Sequence, residues 1–67
     1  MRTYDVVFND AESGNNMGFK STKEEAINYI QTWNGTGHGY FADYKGGVVE
    51  VIENSEEGEV VYSEEVI

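Results

Sequence analysis

The sequence contains no cysteine and no proline, and it has few basic residues. Without cysteine, neither a disulfide nor a thiolate metal site can brace the fold. No apolar run approaches the roughly 18 residues that a membrane-spanning helix requires. The first ten residues, MRTYDVVFND, also lack the apolar segment of a secretory signal. We therefore expect a cytoplasmic protein without a membrane partner.

The scarcity of basic residues leaves a large negative charge. Four Lys and Arg stand against thirteen Asp and Glu, for a net charge of −9. Residues 34–67 hold eight acids and only Lys45 as a base, which gives −7, whereas residues 1–33 give −2. Direct binding to nucleic acid is disfavoured, because that affinity comes from basic side chains meeting phosphates. A basic protein surface is the natural complement.

The clearest element is a helix that begins near residue 21. The segment STKE at 21–24 is a capping box, in which Ser21 accepts from the Glu24 amide. Asn34-Gly35 is typical of a helix end, since glycine tolerates the left-handed conformation there. The apolar residues between these signals share one helical face: Ala26, Ile27, Ile30 and Trp33.

Alternating apolar residues predict strands in up to five segments. These are RTYDVVF at 2–8, a weak MGFK at 17–20, YFADYK at 40–45, VVEVIEN at 48–54 and EVVYSEE at 59–65. Residues 9–16 are predicted as a loop, and SEEG at 55–58 as a turn in which Gly58 takes a positive φ. Lys45-Gly46-Gly47 fits either a hairpin turn or a glycine bulge. The expected fold is a single α+β domain over residues 1–67, with one helix on one face of a mainly antiparallel four- to five-stranded sheet, in the order β(β)αβββ.

No constellation of residues indicates an enzyme. His38 is the only histidine, and no partner that would make it a general base can be identified in the sequence. The oxygen-rich loop from Asp10 fails the calcium-loop pattern, because its glycine falls at position 5 and position 12 is Ser21. The glycine-rich segment 35–47 contains no phosphate-binding motif. We expect no catalytic residue, no metal site and no cofactor.

The C-terminal segment VVEVIENSEEGEVVYSEEVI, residues 48–67, contains seven glutamates and no lysine or arginine. Alternate strand residues repeat about every 6.6–6.8 Å on one face, a spacing of the same order as that of successive phosphates on a nucleic-acid strand. Rows of such carboxylates could occupy a basic groove that normally holds DNA or RNA. The candidate partner-binding residues are Asp43, Glu50, Glu53, Glu56, Glu57, Glu59, Tyr62, Glu64 and Glu65.

In its small size, strong acidity and lack of cysteine, the chain resembles phage or mobile-element inhibitors of bacterial defence. These include DNA-mimicking anti-restriction and anti-CRISPR proteins, and the resemblance covers size and charge. It implies a non-enzymatic protein whose acidic hairpin binds and blocks the basic surface of a nucleic-acid-binding protein or nuclease. The alternative is a small structural or adaptor domain, homodimeric through a sheet edge or exposed aromatic residues, whose charge serves solubility.

Overall fold

The computed structural model describes residues 2–19 and 21–67. It confirms the predicted α+β class, with one main helix and a four-stranded antiparallel sheet in the order β2-β1-β3-β4. The elements are β1 Tyr4–Asn9, β2 Gly14–Asn16, α1 Lys23–Trp33, α2 Tyr40–Asp43, β3 Val48–Glu53 and β4 Val60–Glu65. None of the helices in the described ranges is long and apolar enough to cross a membrane.

The core lies between the helices and one face of the sheet. Alternate residues of β1 point toward it, and Val6 and Phe8 are fully buried. Val6 lies opposite Val51 and Phe8 opposite Val49, so the two central strands present a continuous apolar surface to α1. Burying side chains of this size stabilises a fold by about 1.5–3 kcal/mol each.

Helix α1 begins one residue later than the capping box predicted. Thr22 is the N-cap, and its Oγ1 accepts from the Glu25 amide at 3.2 Å. Ser21 instead forms a β-bridge with Tyr4 and donates to the Glu25 carboxylate. The extended backbone at Ser21 therefore delays the helix. At the other end, Gly35 takes a φ of +88°, as expected for a left-handed position after the helix.

The predicted strand at 40–45 is wrong, because Tyr40–Asp43 forms the short helix α2. Phe41 is fully buried and packs edge-on against Phe8, with ring centroids 4.9 Å apart. The Tyr44 amide donates a hydrogen bond to the Tyr40 carbonyl at 3.0 Å. The observed order is therefore ββααββ, with four strands.

The second strand also differs from the prediction. It lies at Gly14–Asn16, inside the predicted loop, and pairs with Val7–Asn9. Of the predicted strand at 17–20, Lys20 lies outside the described residues, while Met17 and Phe19 pack against the core. Phe19 stacks on Tyr29 with ring centroids 5.1 Å apart, so these side chains extend the core over α1.

The glycine pair after α2 is neither a strand-to-strand turn nor a bulge. Gly46 has a φ of +89° and leads the chain from α2 into β3. Gly47 is buried, and a Cβ there would lie 2.3 Å from the Asn9 carbonyl oxygen. Val66 exchanges backbone hydrogen bonds with both glycines, at 2.9 and 3.0 Å. The close approach of three backbone segments requires glycine at position 47.

Candidate protein-binding surface

The nine predicted partner-binding residues lie in four places. Four glutamates, Glu53, Glu56, Glu57 and Glu59, lie at and beside the turn that joins β3 to β4, and are called the turn cluster below. The other five lie on the core side of β4, on the opposite face of the sheet, and in α2. The structure therefore divides the acidic hairpin into surfaces with different neighbours.

The turn cluster is held by backbone hydrogen bonds. The Glu53 amide donates to the Glu59 carbonyl at 2.8 Å and closes the base of the turn, and the Gly58 amide donates to Ser55 at 3.2 Å. Gly58 takes its predicted positive φ, at +59°. These hydrogen bonds order the turn, and the ordered backbone fixes where its glutamate side chains begin.

Within the turn cluster, only Glu53 has a cationic neighbour among the described residues. Its carboxylate lies 3.3 Å from the Arg2 guanidinium, at the base of the turn. Glu56, Glu57 and Glu59 are exposed, and their side chains form no hydrogen bond or ion pair with any described residue. Three carboxylates therefore face solvent at one end of the molecule.

Tyr62 and Glu64 point toward the helices, opposite Val51 and Val49. The Tyr62 hydroxyl donates to one Glu64 oxygen at 2.6 Å, and Asn34 donates to the other at 2.9 Å. The hydrogen bond to Glu64 raises the pKa of Tyr62 above its ordinary value. Gln31 of α1 also donates to the Tyr62 hydroxyl, at 3.4 Å. These two predicted contacts join β4 to α1 within the chain.

Glu50 and Glu65 lie on the face of the sheet that faces away from the helices, called the open face. The register places Glu65 opposite Val48 and Glu50 opposite Ser63. On the core face, by contrast, Val49 and Val51 are fully buried. No described residue of the open face is buried: Asp5, Val7 and Asn9 of β1, Gly14 and Asn16 of β2, Val48, Glu50 and Ile52 of β3, and Val60, Ser63 and Glu65 of β4.

Asp5 adds a carboxylate to the open face that sequence reasoning did not select. One oxygen, Oδ2, accepts from Asn16 Nδ2 at 3.2 Å. The other, Oδ1, is closed to solvent and has no hydrogen-bond donor among the described residues. Asn9, also on β1, donates through Nδ2 to Glu50 of β3 at 2.9 Å. Of the three carboxylates of this face, those of Asp5 and Glu50 therefore accept hydrogen bonds from side-chain amides.

Asp43 lies apart from the other candidates. It is the last residue of α2 and precedes β3, whereas the turn cluster begins at the last residue of β3. A six-residue strand separates its two ends by about 17 Å. Glu50 and Glu53 also face opposite sides, since they are three positions apart on one strand. The nine residues therefore do not form one continuous row.

Two polar side chains outside the acidic surfaces, those of Asp10 and His38, form contacts within the chain. Asp10 Oδ1 accepts hydrogen bonds from the Ser13 and Glu12 amides, each at 2.8 Å. These bonds lower the pKa of Asp10, and the bond from Ser13 has the larger effect. His38 stacks on Trp33, with ring centroids 4.3 Å apart. The residues in the described ranges form no cavity and no group of three or more metal-ligating side chains.

A comparison with known protein families found no matching family model, and searches of curated proteins and of solved structures found no match either.

Proposed function

We propose that this chain is a non-enzymatic acidic binding protein that blocks the nucleic-acid-binding surface of a protein partner. The observation that supports this function is the group of solvent-facing carboxylates at the β3–β4 turn. Glu56, Glu57 and Glu59 have no cationic neighbour among the described residues, so a basic partner can engage them without breaking an internal contact. Such a partner gains the electrostatic attraction that it otherwise obtains from phosphates.

The position of these carboxylates suits competition with nucleic acid. They lie at one end of the sheet, on a turn that projects beyond the last paired residues of β3 and β4. A projecting acidic end can enter a basic groove that is shaped for a nucleic-acid strand, whereas a flat acidic surface meets only its rim. The small inhibitors of bacterial defence that this chain resembles would act on restriction or RNA-guided nucleases in this way.

The charge reversal E56K/E57K tests the proposal. The protein and this variant are each used to capture partners from a nuclease-treated bacterial lysate, with and without an excess of a short DNA duplex. We expect the unmodified protein to retain a nucleic-acid-binding protein that DNA displaces and that raised salt releases. The variant should lose that partner, because two attractive contacts become repulsive.

A matched control separates the turn cluster from net charge. The variant E12K/D43K changes the charge by the same amount at positions beyond the other end of β3. It should retain the partner. Equal losses in both variants, or a partner that excess DNA does not displace, would contradict the proposal.

A second candidate function is an adaptor that pairs through a sheet edge. The observation in its favour is that β4 forms one edge of the sheet and carries Val60, which is 47% exposed. Pairing of this kind comes from backbone hydrogen bonds and survives raised salt. Sedimentation over a range of concentrations at low and high salt distinguishes the candidates, because only the adaptor predicts a salt-resistant dimer.

A further inference from the structure

The open face combines charge with apolar surface, unlike the turn cluster. Three rows of residues cross the open face from β1 through β3 to β4. The first row is Asp5, Ile52 and Val60, the second is Val7, Glu50 and Ser63, and the third is Asn9, Val48 and Glu65. Because Val61 forms a bulge, Val60 and not Val61 lies opposite Ile52 on this face. The residues that the structure describes on this face include no lysine or arginine.

The three carboxylates lie along a diagonal of this grid. Asp5 is on β1, Glu50 on β3 and Glu65 on β4, each displaced by one strand and one row from the last. Diagonal neighbours on adjacent antiparallel strands are about 7–8 Å apart. Apolar side chains flank the diagonal on both sides: Ile52 and Val60 on one, Val7 and Val48 on the other.

We propose that the open face binds an arginine-rich segment of the protein partner. The guanidinium groups pair with Glu50, with Glu65 and with Oδ2 of Asp5, the Asp5 oxygen that is not closed to solvent. The aliphatic stems of the arginines lie over the flanking valines and Ile52. This inference rests on the proposed function.

Charge excludes two other occupants of the face. A second copy of the chain would bring like-charged carboxylates together, in a protein whose net charge is already −9. Nucleic acid would place phosphates against the same carboxylates. A basic segment is complementary to all three.

The apolar flanks favour arginine over lysine. A guanidinium binds a carboxylate through two parallel hydrogen bonds and is more weakly hydrated than an ammonium group. Val48 and Val60 are 40% and 47% exposed, and a weakly hydrated guanidinium loses less than an ammonium group when it lies against such apolar surface, whereas the aliphatic stem is common to both residues. Attraction to charge alone would not distinguish the two basic residues.

The test is an NMR titration of the isotopically labelled protein with hepta-arginine and, separately, with hepta-lysine. We expect the largest amide shifts on the open face, at Val7, Glu50, Ile52 and Ser63. Hepta-arginine should bind several-fold more tightly than hepta-lysine, and its affinity should fall less with added salt.

Two sets of variants identify the contacts. E50Q should weaken hepta-arginine binding by about five-fold, the upper range for an exposed charge pair. E57Q, which removes the same charge from the turn cluster, should change it less. V48T/V60T keeps the charge and the β-branched shape, and should reduce the preference for arginine over lysine.

The remaining outcomes overturn the inference. Shifts confined to the turn cluster would remove the open face as the binding surface and leave the proposed function intact. Equal affinity for the two peptides, with equal effects of E50Q and E57Q, would show attraction by net charge alone. Absence of binding to either peptide would count against both the inference and the proposed function.

Discussion

At the scale of single residues, Asp5 has surroundings that oppose folding. It lies on a central strand, and its Oδ1 is closed to solvent without a donor among the described residues. A buried polar atom without a partner costs about 1–3 kcal/mol. Asp is also among the residues that strands disfavour.

Replacing Asp5 with threonine should therefore raise the free energy of unfolding. We expect D5T to add about 1 kcal/mol, because it removes the unpaired carboxylate oxygen and introduces a β-branched side chain. Urea unfolding at neutral pH measures the change. The control E12Q removes the same charge from an exposed loop position and should leave stability nearly unchanged. A less stable D5T would show that the Asp5 carboxylate is satisfied in solution.

The inward positions of β1 could be predicted from the sequence, but the role of Asp5 could not. Alternation along one strand is a local property, and it placed Val6 and Phe8 on the same face as Tyr4. The diagonal of carboxylates depends instead on how three strands are aligned. A shift of one residue in register would turn each affected side chain to the other face, so the sequence of any single strand leaves the diagonal undetermined.

At the scale of elements, the end of β4 is joined to the end of α1 through one side chain. Asn34 Nδ2 donates to Glu64 Oε1 at 2.9 Å and to the Glu65 carbonyl at 2.8 Å. Its Oδ1 accepts from the Ile67 amide at 3.0 Å. One residue thus forms three hydrogen bonds to the edge strand and the residues that follow it.

The variant N34A should destabilise the protein by about 2 kcal/mol, since it removes three partly exposed hydrogen bonds. It should also increase hydrogen exchange in β4 more than in β1, because the edge strand loses its attachment to the helix. N28A provides the control, as Asn28 is exposed on the same helix. If exchange rises equally in both strands, Asn34 does not hold the edge strand selectively.

The two helices show what element prediction depends on. Helix α1 has a cap and an apolar stripe within its own sequence, and both predicted a helix here. The cap lies at Thr22 instead of Ser21, and of the predicted stripe Ala26 and Ile30 are buried whereas Trp33 is exposed. Helix α2 is only four residues long, and YFADYK also alternates between its two faces. Tyr40, Phe41 and Tyr44 lie at i, i+1 and i+4, a spacing that is typical of one face of a helix. Contacts with Phe8, far away in sequence, decide between the two structures.

At the scale of the whole molecule, net charge opposes compaction. The chain carries −9 within a radius of gyration of 11.1 Å. The Debye length falls from about 30 Å at 0.01 M salt to about 8 Å at 0.15 M. At low salt, the carboxylates on all surfaces therefore repel one another across the molecule.

Added salt should accordingly stabilise the fold. We expect the midpoint of urea unfolding to rise between 0.01 and 0.15 M sodium chloride, because screening relieves repulsion that is stronger in the compact state. The variant E56Q/E57Q, with two fewer charges, should show a smaller rise. A midpoint that stays constant or falls would mean that local attractions, such as Arg2 with Glu53, outweigh the general repulsion.

The strand order has a consequence for how the chain folds as it is synthesised. The first strand to be made, β1, is central in the sheet, and its long partner β3 follows about forty residues later. Val66 is buried and is bonded to the two glycines that precede β3. Helix α1 can form early, but the core is complete only when β3, β4 and Val66 have also been made. Until then the central valines and Phe8 lack packing partners, and apolar surface that is exposed in this way is what chaperones bind in a nascent chain.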